Sequence, residues 1–289
     1  MKSKNKLSGV ITALVTPFRD GEVDKKSFIR LVRQQLDSGV DGLVINGTTG
    51  ESPTLKVNEV KQLVEWAKLE VARKVPIIIG AGLNSTEKTV ELVKELSPCE
   101  ADYFLTVVPY YNRPPQRGLV AHFTKIADAA SAPVILYNVP TRTVAKLELA
   151  TVVELSKHMN ICGIKEATGD LDLFRQLKAA LPSEFSLLSG DDATCVDFIN
   201  EGGDGVISVF SHIICSELKL AIKNKESGVA KKYSDLLRCV YVEANPIPVK
   251  MAMYWMKVID SPELRLPLVE LDQKYHEEFK KCLRDLKKL

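Results

Sequence analysis

The sequence predicts an α/β protein of the TIM-barrel class, a (β/α)8 barrel followed by an all-helical C-terminal extension. Eight short runs rich in Val, Ile and Leu are each followed by a segment in which apolar residues recur at helical spacing. The runs are nearly continuous rather than alternating, as expected of parallel strands that are buried on both faces. Eight strand-then-helix units in a chain of 289 residues fit one barrel.

The predicted strands lie at residues 9–15, 42–46, 75–81, 103–108, 134–138, 161–165, 185–189 and 205–209. A helical pattern follows each of them. After the first strand, Phe28, Leu31, Val32 and Leu36 fall at positions i, i+3, i+4 and i+8. The other seven helices are expected near residues 57–71, 86–96, 116–130, 147–157, 172–180, 193–201 and 213–223. The barrel should therefore span residues 1–225.

The remaining residues, 226–289, form the predicted extension, with helices near residues 226–243, 247–258 and 270–286. Pro246 and Pro248 separate the first two, because proline ends one helix and is tolerated at the start of the next. A doubly wound open sheet is the alternative fold. It normally carries a glycine-rich dinucleotide turn after its first strand, where this chain has Val15-Thr16-Pro17-Phe18.

Composition excludes several classes of protein. The net charge of +2 and the pI near 8.1 are too small to predict a nucleic-acid or membrane partner. Six cysteines without a CxxC pair argue against a zinc site and favour a reducing compartment. The four histidines form no ligand pattern, so no metal site is expected. Neither a signal peptide nor a membrane span is predicted, and we expect a cytoplasmic protein.

Candidate catalytic residues follow the predicted strands, where a barrel places its active site. Lys165 ends the sixth strand, and an amine that is partly desolvated there can attack a carbonyl. Tyr137 lies at the end of the fifth strand as a candidate proton carrier, and Arg142 follows that strand as a candidate carboxylate ligand. The loop Gly47-Thr48-Thr49-Gly50 follows the second, where backbone N–H groups can hold a small anion.

Each of these residues also has an ordinary structural interpretation. Lys165 alone could be a solvated side chain, Arg142 part of a surface ion pair, and Tyr137 a packed aromatic ring. The paired tyrosines Tyr110 and Tyr111 lie in a proline-rich loop that would also suit a subunit contact. Residues 191 and 192, both Asp, are better explained as a helix N-cap than as metal ligands.

Five motifs together resemble the dihydrodipicolinate synthases of the N-acetylneuraminate lyase family of class I pyruvate aldolases. They are residues 47–52 (GTTGES), 109–114 (PYYNRP), 137–143 (YNVPTRT), 163–169 (GIKEATG) and 245–250 (NPIPVK). The resemblance covers essentially the whole chain. It implies that pyruvate condenses with L-aspartate 4-semialdehyde to give 4-hydroxy-tetrahydrodipicolinate, on the route to diaminopimelate and lysine, without a cofactor.

The resemblance also implies a role for each site residue. Lys165 would form a Schiff base with pyruvate, and a relay of hydroxyl groups would move the protons. The relay is Tyr137, Thr48 and a Tyr111 that reaches in from a neighbouring subunit. The pyruvate carboxylate would be held by Thr49, Gly47 and Gly50, the semialdehyde carboxylate by Arg142, and the pocket would be lined by Gly190 and the carbonyl of Ile207. The family is typically a homotetramer, a dimer of dimers.

Two other functions remain open at this point. One is a Schiff-base aldolase of the N-acetylneuraminate lyase type with a different aldehyde acceptor, and the other is a non-catalytic ligand-binding barrel. The lyases resemble Gly-Ser-Thr-Gly where this chain has two threonines, and they lack Arg142. An intact Lys165, Tyr137 and Thr48 argues against a barrel that has lost turnover.

The chain departs from the family at the effector site of its lysine-inhibited members. Ser52, Asn84 and Tyr110 remain at that site as possible remnants. Two histidines and a glutamate of the inhibited enzymes are replaced, however, by Val57, Val60 and Lys88. A lysine at position 88 would repel the ammonium group of the effector, so we expect weak or absent inhibition by lysine. Val144 stands where many members have glycine.

Overall fold

Eight parallel strands close into a barrel in the computed structural model, which describes residues 6–226 and 228–289. They are β1 (Gly9–Ala13), β2 (Gly42–Ile45), β3 (Ile77–Gly80), β4 (Tyr103–Val107), β5 (Val134–Asn138), β6 (Ile161–Glu166), β7 (Ser186–Ser189) and β8 (Gly205–Ser208). The strands follow chain order around the barrel, and β8 pairs with β1 to close it. The predicted barrel is confirmed, and the predicted strand ends lie close to the observed ones.

Helices lie between the strands, as predicted. They are α1 (Lys25–Asp37), α2 (Val57–Val71), α3 (Thr86–Leu96), α4 (Gln116–Ala129), α5 (Leu149–Leu155), α6 (Leu171–Ala180), α7 (Cys195–Asn200) and α8 (Ser211–Lys223). Polar side chains cap several of them; Asp170, for example, accepts hydrogen bonds from the first N–H groups of α6. A hairpin of Phe18–Arg19 and Glu22–Val23 and a helical turn at Pro140–Thr143 were not predicted.

The buried apolar residues form two layers. One fills the space between the strands and the surrounding helices, and the other fills the inside of the barrel. Tyr137 belongs to the inner layer, together with Ile207 and Leu188. Because parallel pairing sets Tyr137 beside Lys165 and Lys165 beside Leu188, these side chains share the inner face of the barrel. The register therefore directs the lysine into the barrel at its carboxyl-terminal end.

The C-terminal extension is helical, with α9 (Val229–Lys232), α10 (Ser234–Val240), α11 (Ile247–Trp255) and α12 (His276–Asp285). The single helix predicted over residues 226–243 is wrong, because Tyr233 has a non-helical backbone with φ −109° and divides it. The helix predicted from residue 270 begins only at His276, after a 3₁₀ turn over Gln273–Tyr275 that Asp272 caps. Within the described residues, no helix is long and apolar enough to cross a membrane.

Candidate active site

Lys165 and Tyr137 form the centre of the site. Lys165 lies near the end of β6 and is only 7% exposed, although it is charged in its ordinary state. Its Nζ atom lies 4.3 Å from the centroid of the Tyr137 ring, on the neighbouring strand β5. Contact with an aromatic face stabilises an ammonium group that has lost part of its water. The amine and the phenol thus occupy one end of the barrel interior, side by side.

Gly190 follows β7 and packs directly against Lys165. A Cβ atom at residue 190 would lie 2.8 Å from Cε of Lys165 and 2.6 Å from the Cβ of Ala167. The N–H group of Gly190 donates to the carbonyl of Glu166 at 2.7 Å, and this hydrogen bond joins the ends of β6 and β7. A side chain larger than hydrogen therefore has no room at this position unless both Ala167 and Lys165 move.

The residues next to Lys165 and Tyr137 in the chain form a buried polar pair that the sequence did not predict. Nδ2 of Asn138 donates to Oε2 of Glu166 at 2.7 Å, and the N–H group of Thr168 donates to Oε1 at 2.8 Å. Burial raises the pKa of Glu166 against the effect of these hydrogen bonds. The pair ties the ends of β5 and β6 together and so fixes the spacing of the two site residues.

The GTTGE loop (residues 47–51) leaves β2 and returns sharply towards α2. The N–H groups of Gly50 and Ser52 both donate to the carbonyl of Gly47, at 3.0 and 3.3 Å. The hydroxyl of Thr16, after β1, donates to the carbonyl of Gly50 at 2.7 Å. These contacts give the loop a compact turn whose Thr48 and Gly47 face the cavity described next.

A cavity of about 490 Å³ opens beside the barrel mouth and gathers many of the predicted site residues. Its polar lining is Asn46, Gly47, Thr48, Ser52, Tyr110, Tyr137, Arg142 and Thr143, and much of its apolar lining is Leu55, Val57, Val60, Leu83 and Leu92. Three strand ends, those of β2, β4 and β5, supply the polar part. Hydroxyl groups and a guanidinium therefore line one cavity, which a substrate of small size can enter.

Asn245 joins the two groups predicted to bind carboxylates, although no role was predicted for it. Its Nδ2 atom donates to Oγ1 of Thr49 at 2.9 Å, and its backbone carbonyl accepts from Nη2 of Arg142 at 3.3 Å. Its Oδ1 atom is buried without a hydrogen-bond partner. In the sequence, the only sign of a role for Asn245 was the motif at residues 245–250. Because this motif comes after the barrel, the sequence did not indicate that Asn245 contacts residues at the strand ends.

Other candidate residues lie apart from this cavity. Tyr111 is 88% exposed and has a positive φ of 75°, so Tyr110 and not Tyr111 lines the cavity within one chain. The backbone carbonyl of Asn84 accepts a hydrogen bond from Asn112 at 2.7 Å. Val144 is exposed with φ 64°, a region that β-branched residues rarely adopt.

The two adjacent aspartates after β7 act in loop structure. Oδ2 of Asp191 accepts from the N–H and hydroxyl groups of Thr194 just before α7, at 2.9 and 2.7 Å. Asp192 is buried and instead accepts from the N–H group of Phe210 ahead of α8, at 2.9 Å, and from the hydroxyl of Tyr241 at 2.6 Å. The N-cap interpretation is therefore wrong: the N-cap of α7 is Thr194, Asp191 binds that residue from the preceding turn, and Asp192 binds the loop before α8.

Comparison with known proteins places the whole chain in one context. Residues 6–286 match the model of the dihydrodipicolinate synthetase family. A 4-hydroxy-tetrahydrodipicolinate synthase of Bdellovibrio bacteriovorus is 48% identical over 271 residues, which cover 91% of this chain and 92% of the relative.

Solved structures show the same similarity in three dimensions. A dihydrodipicolinate synthase of Thermotoga maritima superposes with a TM-score of 0.93 at 40% identity, covering 99% of this chain and 100% of the other. A second one, from Cyanidioschyzon merolae with lysine bound, gives a TM-score of 0.93 at 38% identity over the same shares of the two chains. The fold of this chain, from the barrel to the C-terminal extension, is thus the fold of these two dihydrodipicolinate synthases.

Proposed function

The chain belongs to the dihydrodipicolinate synthetase family, and we propose how its residues carry out the reaction of that family. The activity is that of a 4-hydroxy-tetrahydrodipicolinate synthase, a lyase of the class I aldolase type. Its substrates are pyruvate and L-aspartate 4-semialdehyde. The observation that supports the proposal best is the buried amine of Lys165, 4.3 Å from the Tyr137 ring centroid at the mouth of the barrel.

In the proposed reaction Lys165 attacks the keto carbon of pyruvate, and loss of water gives an iminium ion. The iminium withdraws electrons, so a proton leaves the methyl carbon and an enamine forms. The enamine carbon attacks the aldehyde carbon of the semialdehyde, and the aldehyde oxygen takes up a proton. The amine of the second substrate then attacks the imine carbon, which closes the ring and releases Lys165. Tyr137, Thr48 and Tyr111 carry the protons in these steps.

The two substrate carboxylates would bind at opposite sides of Asn245. Thr49 and the backbone N–H groups of Gly47 and Gly50 suit the carboxylate of pyruvate. Arg142 suits the carboxylate of the semialdehyde, since a guanidinium can bind it through two parallel hydrogen bonds. Gly190 leaves the space that the lysine and its adduct occupy, and the carbonyl of Ile207 completes the pocket.

The proposed chemistry needs neither a metal nor an organic cofactor, because the lysine supplies the electron sink once it is joined to pyruvate. We also propose the cytoplasm as the site of the reaction. None of the six cysteines, all of which lie in the described part of the chain, forms a disulfide, and four of them are buried. Free thiols persist in a reducing compartment.

Trapping with borohydride tests the central step. Incubation with pyruvate and borohydride should attach a reduced three-carbon acid to Lys165, seen by mass spectrometry of the peptide that contains it. Lys165→Ala should carry no such adduct. Lys250 is an internal control, because it is a second buried lysine, with 0% exposure, and it should stay unlabelled. An adduct on another lysine, or none on the wild-type protein, would contradict the proposal.

The acceptor is tested separately. The protein should consume L-aspartate 4-semialdehyde in the presence of pyruvate and leave N-acetylmannosamine unchanged. Turnover of N-acetylmannosamine at a comparable kcat/KM would instead support the lyase-type alternative. Pyruvate trapping without turnover of either aldehyde would support a non-catalytic binding protein.

We further propose that Tyr111 serves the site of a neighbouring subunit, so that the active form is at least a dimer and, as a dimer of dimers, a tetramer. An exposed tyrosine that lies outside its own cavity supports this arrangement. Lys165→Ala and Tyr111→Phe proteins should each be nearly inactive. After the two are unfolded and refolded together, about a quarter of the wild-type activity should return, since random pairing leaves one intact site in half of the dimers. No recovery would contradict action across the interface.

A further inference from the structure

A fully buried ion pair joins the GTTGE loop to the C-terminal extension. Nζ of Lys250, on α11, lies 2.5 Å from Oε1 of Glu51, and both side chains have 0% exposure. The second carboxylate oxygen of Glu51 accepts from the backbone N–H group of Arg265 at 3.0 Å. Both oxygens of this carboxylate are therefore bound by groups that lie about 200 residues away in sequence.

Arg265, in the extension, also binds the segment that follows the GTTGE loop. The guanidinium of Arg265 forms a bidentate pair with Glu59 in the first turn of α2, at 2.6 and 2.9 Å. It donates in addition to the carbonyl of Thr54 at 2.9 Å. Contact with Arg265 lowers the pKa of Glu59. The segment from Glu51 to Glu59 is thus fastened to the extension at both ends.

Aromatic contact completes the environment of the two cations. Nζ of Lys250 lies 4.2 Å from the centroid of the Phe18 ring, and Cζ of Arg265 lies 4.3 Å from the same centroid. Phe18 is itself fully buried. Burial lowers the pKa of Lys250 to about 8, against the attraction of Glu51. The ammonium group therefore depends on the carboxylate and the ring, because water does not reach it.

The backbone of Glu51 explains why its side chain needs such support. Its φ of 58° is in the left-handed region, and its N–H group donates to the carbonyl of Thr48 at 3.1 Å. A non-glycine residue holds this conformation only where its surroundings impose it. Since this turn sets the direction of Thr48 and Thr49, the anchor on the Glu51 side chain also sets the geometry of the loop.

We propose that Lys250 and Glu51 are positioning residues for the substrate, and that the C-terminal extension shapes the carboxylate site from behind the GTTGE loop. The inference rests on the proposed function, in which this loop binds the carboxylate of pyruvate. Asn245 lies on the same stretch as Lys250 and reaches Thr49 directly. Lys250 acts through Glu51, and neither side chain touches the reacting atoms.

A purely structural role would predict something different. Exchange of a buried ion pair for neutral groups of similar volume is often without cost to stability, whereas loss of one partner leaves a buried charge and is severe. A double variant, Glu51→Gln with Lys250→Met, removes both charges together. If the pair serves the loop, this protein folds and yet binds pyruvate less well.

The test compares pyruvate dependence in the full-length protein. For the double variant, the pyruvate concentration that gives half-maximal borohydride trapping of Lys165 should rise about tenfold or more, equivalent to the loss of one good hydrogen bond. The KM for the semialdehyde should change by less than about threefold. The control is Glu217→Gln with Lys288→Met, the same two exchanges at a partly exposed ion pair of 2.6 Å between Lys288 and α8. It should leave both values unchanged.

A second variant covers the case in which the double variant does not fold. Glu51→Asp keeps the charge but shortens the side chain by one methylene group, so the loop must shift to keep its contact with Lys250. Its pyruvate requirement should rise while its kcat at saturating pyruvate stays near that of the wild type. Unchanged pyruvate dependence in either folded variant would overturn the inference, provided that the wild type is trapped. Failure to trap the wild type would overturn the proposed function itself.

Discussion

Gly190 lies so close to Lys165 that a Cβ atom at residue 190 would come within 2.8 Å of Cε of the lysine. The contact is between residues on neighbouring strand ends, and the N–H group of Gly190 is held by the carbonyl of Glu166 at 2.7 Å. This hydrogen bond restricts movement of the backbone at Gly190 away from the side chain of Lys165. Because residue 190 has no side chain, the side chain of Lys165 can occupy its observed position.

Gly190→Ala should therefore displace Lys165 and slow Schiff-base formation. We expect the rate of borohydride-trapped adduct formation to fall at least about tenfold, since overpacking of this kind typically costs 1–3 kcal/mol. Gly118→Ala is the control, because a Cβ there would meet only ordinary contacts, the nearest at 3.4 Å. Wild-type trapping in Gly190→Ala would contradict the assigned contact.

Arg142→Ala should chiefly weaken the use of the semialdehyde. Loss of a charged hydrogen-bonding partner costs about 1.5–3 kcal/mol, so kcat/KM for this substrate should fall by one to two orders of magnitude. Trapping with pyruvate should survive, because the carboxylate of pyruvate is bound elsewhere. Arg117→Ala, an exposed arginine on α4, serves as the control. Equal loss of trapping and of semialdehyde use would refute the role proposed for Arg142.

Lysine should inhibit the protein weakly or not at all. Val57 and Val60 form an apolar part of the cavity wall beside Ser52 and Tyr110, and neither side chain can give a charged amino acid a hydrogen bond in place of the two histidines. Lys88, which the resemblance sets at the position of the inhibited enzymes' glutamate, is exposed and carries a charge of the same sign as the effector's ammonium groups. Activity measured against increasing lysine should stay constant through the micromolar range. Half-maximal inhibition at micromolar lysine would contradict this prediction.

Stability should fall as the pH drops from 7 to 5, in part because of His212. Burial lowers the pKa of this side chain to about 4, and its Nε2 atom accepts from the N–H group of Val15 at 3.2 Å. In the unfolded chain this histidine binds a proton near pH 6.5, whereas in the folded chain it does not. The contribution of His212 to the free energy of unfolding is therefore fully present above that pH and is lost as the pH falls below it.

This histidine should contribute about 2 kcal/mol to the loss of unfolding free energy between pH 7 and pH 5. The measurement is urea denaturation of the wild type and of His212→Asn at both pH values. The variant should be less stable at pH 7, because the hydrogen bond to Val15 is changed, and its pH dependence should be smaller by that amount. Equal pH dependence in the two proteins would show that His212 binds a proton as readily in the folded protein as in the unfolded chain, and it would contradict the prediction.

Much of the fold and part of the site can be read from the chain alone. Eight apolar runs predicted eight strands, because strands buried on both faces leave a continuous signal in the sequence. The end of each run then located Lys165, Tyr137 and Arg142 at one face of the barrel. Helices of the extension were less well predicted, since the break at Tyr233 depends on packing and not on a proline or glycine.

Side-chain pairs that are distant in sequence were decided only by the folded structure. In the sequence, Glu51 follows the second strand of the barrel and Lys250 comes after the eighth. Each looks like an ordinary charged residue in its own segment. Their pairing arises because α11 packs against the GTTGE loop in the folded protein, just as the contact of Gly190 with Lys165 follows from strand register. Periodicity records which face of an element is buried, whereas the partner across that face depends on three-dimensional packing.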